Sequence, residues 1–175
     1  MDMFLIALVV LAKLLVPALM LWWPFPAVWA NYFLDVVDGD ILQYLGLAES
    51  WYQTIDKSAD WISYVFMIWA GWNWRIRKTL LFLFIYRTVG QLLFFLTGDE
   101  FMFVYFQNFL EPLVMIYTLL IFKLKSELKA FESYKTHIIL IWGIILGYKL
   151  WNEWYLHWAN IDLSTMFFGV NGGGL

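Results

Sequence analysis

The chain contains no cysteine. That excludes disulfides, thiol nucleophiles, iron–sulfur clusters and thiolate zinc sites, and with them the membrane enzymes that work through cysteine pairs. Histidine occurs only twice. His137 and His157 fall near opposite ends of the last apolar stretch, too far apart for a bis-histidine haem within one bilayer leaflet, and each reads as an interfacial polar residue. Charge is also scarce: 14% of residues are charged and the net charge is −3, so no nucleic-acid partner is expected. What fills the chain instead is apolar. Of 175 residues 63% are hydrophobic and 22% aromatic, and the mean hydropathy is +0.69. This is the composition of a membrane protein, with the lipid bilayer as its first partner.

The apolar runs and their punctuation predict an all-α fold: an integral membrane bundle of about six transmembrane helices, forming a single polytopic domain over 1–175. Met3 to Trp23 is long enough to cross a hydrocarbon core of about 30 Å. Its acidic start, its length and the lack of a small-x-small site favour a retained helix over a cleaved signal peptide. Pro24-Phe25-Pro26 predicts a break and a tight turn. A second helix is expected from about Ala27 to Tyr44, with Gly46 in the next turn, and a third from about Ser50 to Trp74. After the basic connection Arg75, Arg77 and Lys78 come a fourth span, Thr79 to Thr97, and the turn Gly98-Asp99-Glu100. Phe101 to Phe122 is the fifth span. Lys123 to Lys135 reads as a charged connector that continues as helix, and Thr136 to Trp151 as the sixth span. Residues 152–175 read as an interfacial aromatic segment, with Trp154, Tyr155 and Trp158, ending in a flexible tail at Gly172-Gly173-Gly174.

Acids are concentrated in one place. The stretch from Asn31 to Trp61 holds five of the eight aspartates, and four of them form two pairs at helical spacing. Asp35 and Asp38 are i and i+3; Asp56 and Asp60 are i and i+4. Each pair therefore shares a helical face. On neighbouring antiparallel helices the two pairs can converge, and four converging carboxylates repel unless a cation lies among them. Hard divalent ions that prefer oxygen ligands, Mg²⁺ or Mn²⁺, are the natural occupants.

With the glycine that follows Asp38, the series Asp35, Asp38-Gly39, Asp56, Asp60 resembles the signature of the CDP-alcohol phosphatidyltransferases, D-x2-D-G-x2-A-R-x8-G-x3-D-x3-D. All four acids and the first glycine match at the right distances. Leu42 and Gln43 stand where the family has Ala and Arg, and Tyr52 where it has its second Gly. The resemblance implies a metal-dependent transfer of a phosphatidyl or phospho-alcohol group to a hydroxyl acceptor, with CMP leaving. It assigns Asp35, Asp38, Asp56 and Asp60 as metal ligands and Asp60 also as the catalytic general base. Gly39 and Gln43 fall in the substrate-binding part. There Gly39 would let a nucleotide approach the backbone, and Gln43 lacks the bidentate grip of an Arg on phosphate. The family also implies a lipid or nucleotide-alcohol substrate and a homodimer. A different class remains in competition, a non-catalytic multi-pass membrane protein or complex subunit that keeps the fold and an acidic cation-binding cluster. A third reading is an ion or proton pathway through the same carboxylates with Lys13 and Arg87.

Lys13, Arg87 and Glu111 lie near the middles of apolar spans, where ionisable groups are costly and face a partner or a polar cavity. Counted along antiparallel spans, Arg87 and Glu111 reach similar depth and are expected to form a structural intramembrane ion pair. Gln91, Gln107 and Asn108 extend the polar lining. The positive-inside rule puts the Lys- and Arg-rich connections (75–78 and 123–135) in the cytoplasm and the Asp cluster on the non-cytoplasmic side. The family's site faces the cytoplasm, so the charge count implies a donor other than a conventional cytosolic CDP-alcohol.

Overall fold

The computed structural model describes residues 2–99 and 101–157, and these are helical throughout, without strands. Eight α-helices follow in order: α1 (Asp2–Leu15), α2 (Pro24–Tyr44), α3 (Glu49–Ala70), α4 (Arg77–Thr97), α5 (Phe101–Tyr105), α6 (Leu110–Leu124), α7 (Glu127–Thr136) and α8 (Ile138–His157), with a 3-10 segment at Val16–Leu21 after α1. The aromatic tail expected beyond residue 157 lies outside the described residues.

Proline shapes the first turn differently from the expectation. Pro17 tightens the end of the first apolar run into the 3-10 segment, while Pro24 and Pro26 start α2, the end of a helix where a missing N–H costs nothing. The chain therefore reverses at Trp22–Trp23, just before the Pro-Phe-Pro stretch. At the other end of the fourth expected span, Gly98 adopts φ +70° and its N–H closes α4 on the Phe94 carbonyl (2.7 Å), the left-handed stop that glycine favours.

The fifth expected span is not one helix. It divides into the short α5 and the 15-residue α6, because Asn108 turns its side-chain oxygen to the backbone N–H of Glu111 (3.2 Å). Such a local bond competes with helix continuation. In the break itself Asn108 is buried and Phe106, Gln107 and Phe109 are half-buried, while in α6 Leu110, Glu111, Pro112, Leu113, Val114, Met115, Tyr117 and Thr118 are all buried. This makes α6 the central element, with α2, α3, α4, α7 and α8 packed round it. Its partners in the core include Val28, Met67, Leu80 and Ile145. The charged connector is also interrupted, since Lys125 ends α6 at φ +53° and Ser126 caps α7.

Two helices, Met3–Leu21 and Arg77–Thr97, are long and apolar enough to cross a membrane, and Ile138–Trp151 is a shorter apolar helix. The exterior carries large apolar side chains in the open, among them Leu96 and Ile139 at over 80% exposure. The two basic connections meet at one end of the bundle. There Arg75 donates its backbone N–H to Glu127 Oε1 (2.8 Å), with its Nε 3.4 Å from Oε2, and Tyr117 Oη donates to the same Oε1 (2.7 Å). Phe25, at the start of α2, stacks on Phe122, at the end of α6, with ring centres 4.5 Å apart. The start of α2 therefore belongs to the basic end. At about 1.5 Å per residue, α2 carries Asp35 and Asp38 well away from that end, toward the α2–α3 turn.

Candidate cation site

Asp35 and Asp38 reach out from α2 toward Asp56 on α3, and each of the three offers a ligand oxygen within 4.8 Å of the others. Asp38 and Asp56 are buried, Asp35 only partly. Asp60 lies outside this triad, one turn further along α3, but interacts electrostatically with Asp35, Asp56, Lys57 and Lys13. Three of the four expected ligands thus converge and the fourth stands beside them.

The middle of the triad holds a cation that belongs to the chain. Lys13 Nζ is 3.0 Å from Asp35 Oδ1 and 2.6 Å from Asp38 Oδ2, and it donates to Asp56 Oδ1. The residue is 4% exposed. A second ammonium, Lys57, takes the other oxygen of Asp56 at 2.6 Å. Buried carboxylates so close together require nearby positive charge, and these two lysines supply much of it. The donor set, all carboxylate oxygen, suits a hard divalent ion. Asp38 Oδ1, buried and without a hydrogen-bond partner, has capacity to spare.

The apolar run around Lys13 marks a costly position for a charge, and the acids appear as its partner only in the reading of an ion or proton pathway. The signal was available, because Lys13 is the only Lys or Arg before Lys57 and five acids, Asp35, Asp38, Asp40, Glu49 and Asp56, lie between them. Its place in the last turn of α1 also favours a positive charge, through the helix dipole.

Gly39 is not open to a ligand as expected. A Cβ built there would lie 2.7 Å from Tyr52 Oη and 3.2 Å from Cζ, so Tyr52 fills the space that Gly39 leaves. The same phenol lies in the field of Asp56 and Asp38. Gly39→Ala is expected to cost about 1–3 kcal/mol by overpacking, and Tyr52→Phe in the same chain should recover part of it by removing the nearest atom. Thermal unfolding of the single and double variants checks this, and equal losses would contradict the contact. Leu42 is fully buried. Gln43 is half-buried beside the α2–α3 turn, where its carbonyl accepts from Gly46 N (2.9 Å).

A second polar centre continues along the same faces, since Asn31 is one turn before Asp35 and Ser63 nearly one turn after Asp60. Asn31 Nδ2 donates to Glu111 Oε1 (3.4 Å) and Ser63 Oγ to Asn31 Oδ1 (3.1 Å). Asn108 Nδ2 contacts both Glu111 Oε2 (3.2 Å) and Tyr64 Oη (3.1 Å). Glu111 is thus held by two amides, and no ion pair with Arg87 forms among the described residues. Arg87 instead donates to the Phe106 carbonyl (2.7 Å) and lies over the Phe103 ring at 4.4 Å. Depth along antiparallel helices was the basis for expecting the pair; the α5–α6 break offered Arg87 a free carbonyl, and the amides took Glu111. A double-mutant cycle on Asn108→Ala and Glu111→Gln is expected to show coupling of about 1–3 kcal/mol, more than the cycle on Arg87→Met and Glu111→Gln. The opposite order would restore the ion pair.

A cavity of about 350 Å³ opens between α3 and α4, lined by Ser58, Trp61, Ile62, Thr88, Gln91, Leu92 and Phe95. Gln91 Nε2 donates to the Lys57 carbonyl (3.2 Å), which fixes α4 against the acidic turn of α3. Comparison with protein-family models, with curated proteins and with solved structures finds no match in any of the three.

Proposed function

We propose that the chain is a multi-pass membrane enzyme of the phosphotransferase class, dependent on Mg²⁺ or Mn²⁺ and similar in chemistry to the CDP-alcohol phosphatidyltransferases. The observation that carries this reading is the convergence of Asp35 and Asp38 from α2 with Asp56 from α3, each giving an oxygen within 4.8 Å of the others. A divalent ion held there would neutralise phosphate charge during transfer. Asp60, beside the triad on the next turn of α3, takes the proton from the acceptor hydroxyl. Gln43 offers amide hydrogen bonds to the donor in place of a guanidinium, a weaker hold on phosphate. The cavity between α3 and α4 suits the hydrocarbon of a lipid alcohol, since Trp61, Leu92 and Phe95 at its rim are exposed apolar groups.

In this reading the apolar exterior of the bundle faces lipid across six spans, and the protein forms a homodimer as members of that family do. The basic connections lie in the cytoplasm, which puts the acidic end on the other side and argues for a donor other than a cytosolic CDP-alcohol. Thiol labelling of Ser126→Cys and Ala48→Cys in intact cells tests the orientation; a cytoplasmic Ala48→Cys with an external Ser126→Cys would reverse it.

The activity test is metal-dependent transfer from a panel of CDP-alcohols and lipid-linked phosphodiesters to lipid alcohols in mixed micelles. Asp60→Asn is expected to lower kcat by about 10²–10⁴ with Mn²⁺ binding retained. An unchanged rate in that variant would remove Asp60 from the chemistry, and absence of transfer from every donor would favour a non-catalytic membrane subunit. That second reading has its own observation, because Lys13 and Lys57 already satisfy much of the acidic cluster without a metal.

A further inference from the structure

We infer that Lys13 is the resident occupant of the cation position, and that its ammonium and a divalent ion exclude one another there. The inference rests on the reading of Asp35, Asp38 and Asp56 as a divalent-ion site, and adds that the site is reached only by displacing part of the protein. Lys13 Nζ touches one oxygen of each of the three carboxylates. A divalent ion bound to those oxygens at about 2.0–2.6 Å would need the volume that Nζ fills. Both cannot be present.

Three features make the exchange feasible. The ammonium lies at ion-pair distance from Asp38 Oδ2, yet both oxygens of the buried Asp38 are without a hydrogen-bond partner. A divalent ion, which takes six or more oxygens, can use what the ammonium cannot. Lys57 binds the opposite oxygen of Asp56 and can remain when Lys13 leaves, so exchange of one charge for two does not strip the site of its other counter-ion. Finally, Lys13 is a flexible four-carbon stem on a peripheral helix. Its helix packs on α2, α3 and the 3-10 segment while Phe4, Leu8, Leu11 and Leu15 are exposed, and withdrawal of the ammonium does not require the core around α6 to open. Lys13 then acts as a tethered competitor that offsets part of the triad's negative charge until a divalent ion takes its place.

A competitor present in most molecules lowers apparent affinity by the fraction of molecules in which it has withdrawn. With that fraction at a tenth or less, Lys13→Met is expected to bind Mn²⁺ at least tenfold more tightly than the wild type in titrations of the detergent-purified full chain followed by electron paramagnetic resonance. Because Lys13→Met loses the central counter-ion and can fail to fold without metal, the wild type provides a second readout. Amine-reactive labelling read at the Lys13 peptide by mass spectrometry is expected to rise several-fold when Mn²⁺ is added. Equal Mn²⁺ affinity in the two proteins, or labelling of Lys13 that does not change while Mn²⁺ binds, would overturn the exclusion and leave the divalent site standing. Absence of Mn²⁺ binding by the wild type and by a folded Lys13→Met would remove the divalent site itself, and the exclusion with it.

Discussion

Lys13→Met is expected to be the most damaging single change in the chain when divalent ions are absent, costing on the order of 3–5 kcal/mol, the usual range for removing one partner of a buried ion pair. Three carboxylates, of which Asp38 and Asp56 are almost wholly buried, would keep their mutual repulsion and lose the ammonium at their centre. The loss should be relieved in two ways that a packing defect would not allow. Adding Asp38→Asn to the variant removes a buried charge along with its missing partner, and the double variant should unfold at a higher temperature than Lys13→Met alone. Saturating Mn²⁺ should also raise the unfolding temperature of Lys13→Met by more than it raises that of the wild type. If neither the second substitution nor the metal recovers stability, Lys13 matters for its methylene stem and not for its charge.

Asp56→Asn carries the second largest expected effect. Asp56 is the only carboxylate of the triad that serves two ammonium groups, Lys13 on Oδ1 and Lys57 on Oδ2, and its side chain is 7% exposed against 35% for Asp35. Its replacement leaves two cations short of a partner and removes one ligand from the metal position. Asp35→Asn removes a contact that water already screens. Stability, and retention of Mn²⁺, should therefore fall in the order wild type, Asp35→Asn, Asp56→Asn. Equal losses in the two variants would mean that the triad behaves as an exposed acidic patch and not as a structured site.

How much of this was legible in the sequence depended on how local each feature is. Helix-period spacing within α2 and within α3 put Asp35 with Asp38 and Asp56 with Asp60 on common faces, and hydropathy marked the apolar helical stretches other than the divided fifth one. Boundaries set by local chemistry, such as Gly98 after α4 and the turn at Gly46, followed from residue type. The features that escaped depend on contacts distant in the chain. Lys13 meets Asp56 across 43 positions, and the apolar pattern of α1 says only that it needs a partner. The break between α5 and α6 is invisible to hydropathy because its flanks are apolar throughout; it is Asn108 bonding to Glu111 that divides the span. Arg87 and Glu111 illustrate the same limit, since depth along a helix is readable from the chain while the direction a side chain faces is set by the neighbours that offer it hydrogen bonds.

Around the triad one small and one large residue are in contact, since Tyr52 fills the space over Gly39. Positive charge reaches the acids from α1 and α3, through Lys13 and Lys57.

The most direct measurement is an anomalous-scattering map from crystals of the full chain grown in lipid with Mn²⁺. The account predicts a single strong peak bonded to oxygens of Asp35, Asp38 and Asp56 at about 2.0–2.6 Å, with Lys13 Nζ withdrawn from the triad. A map without a peak there, in which Lys13 Nζ still bridges the three carboxylates at saturating Mn²⁺, would contradict it.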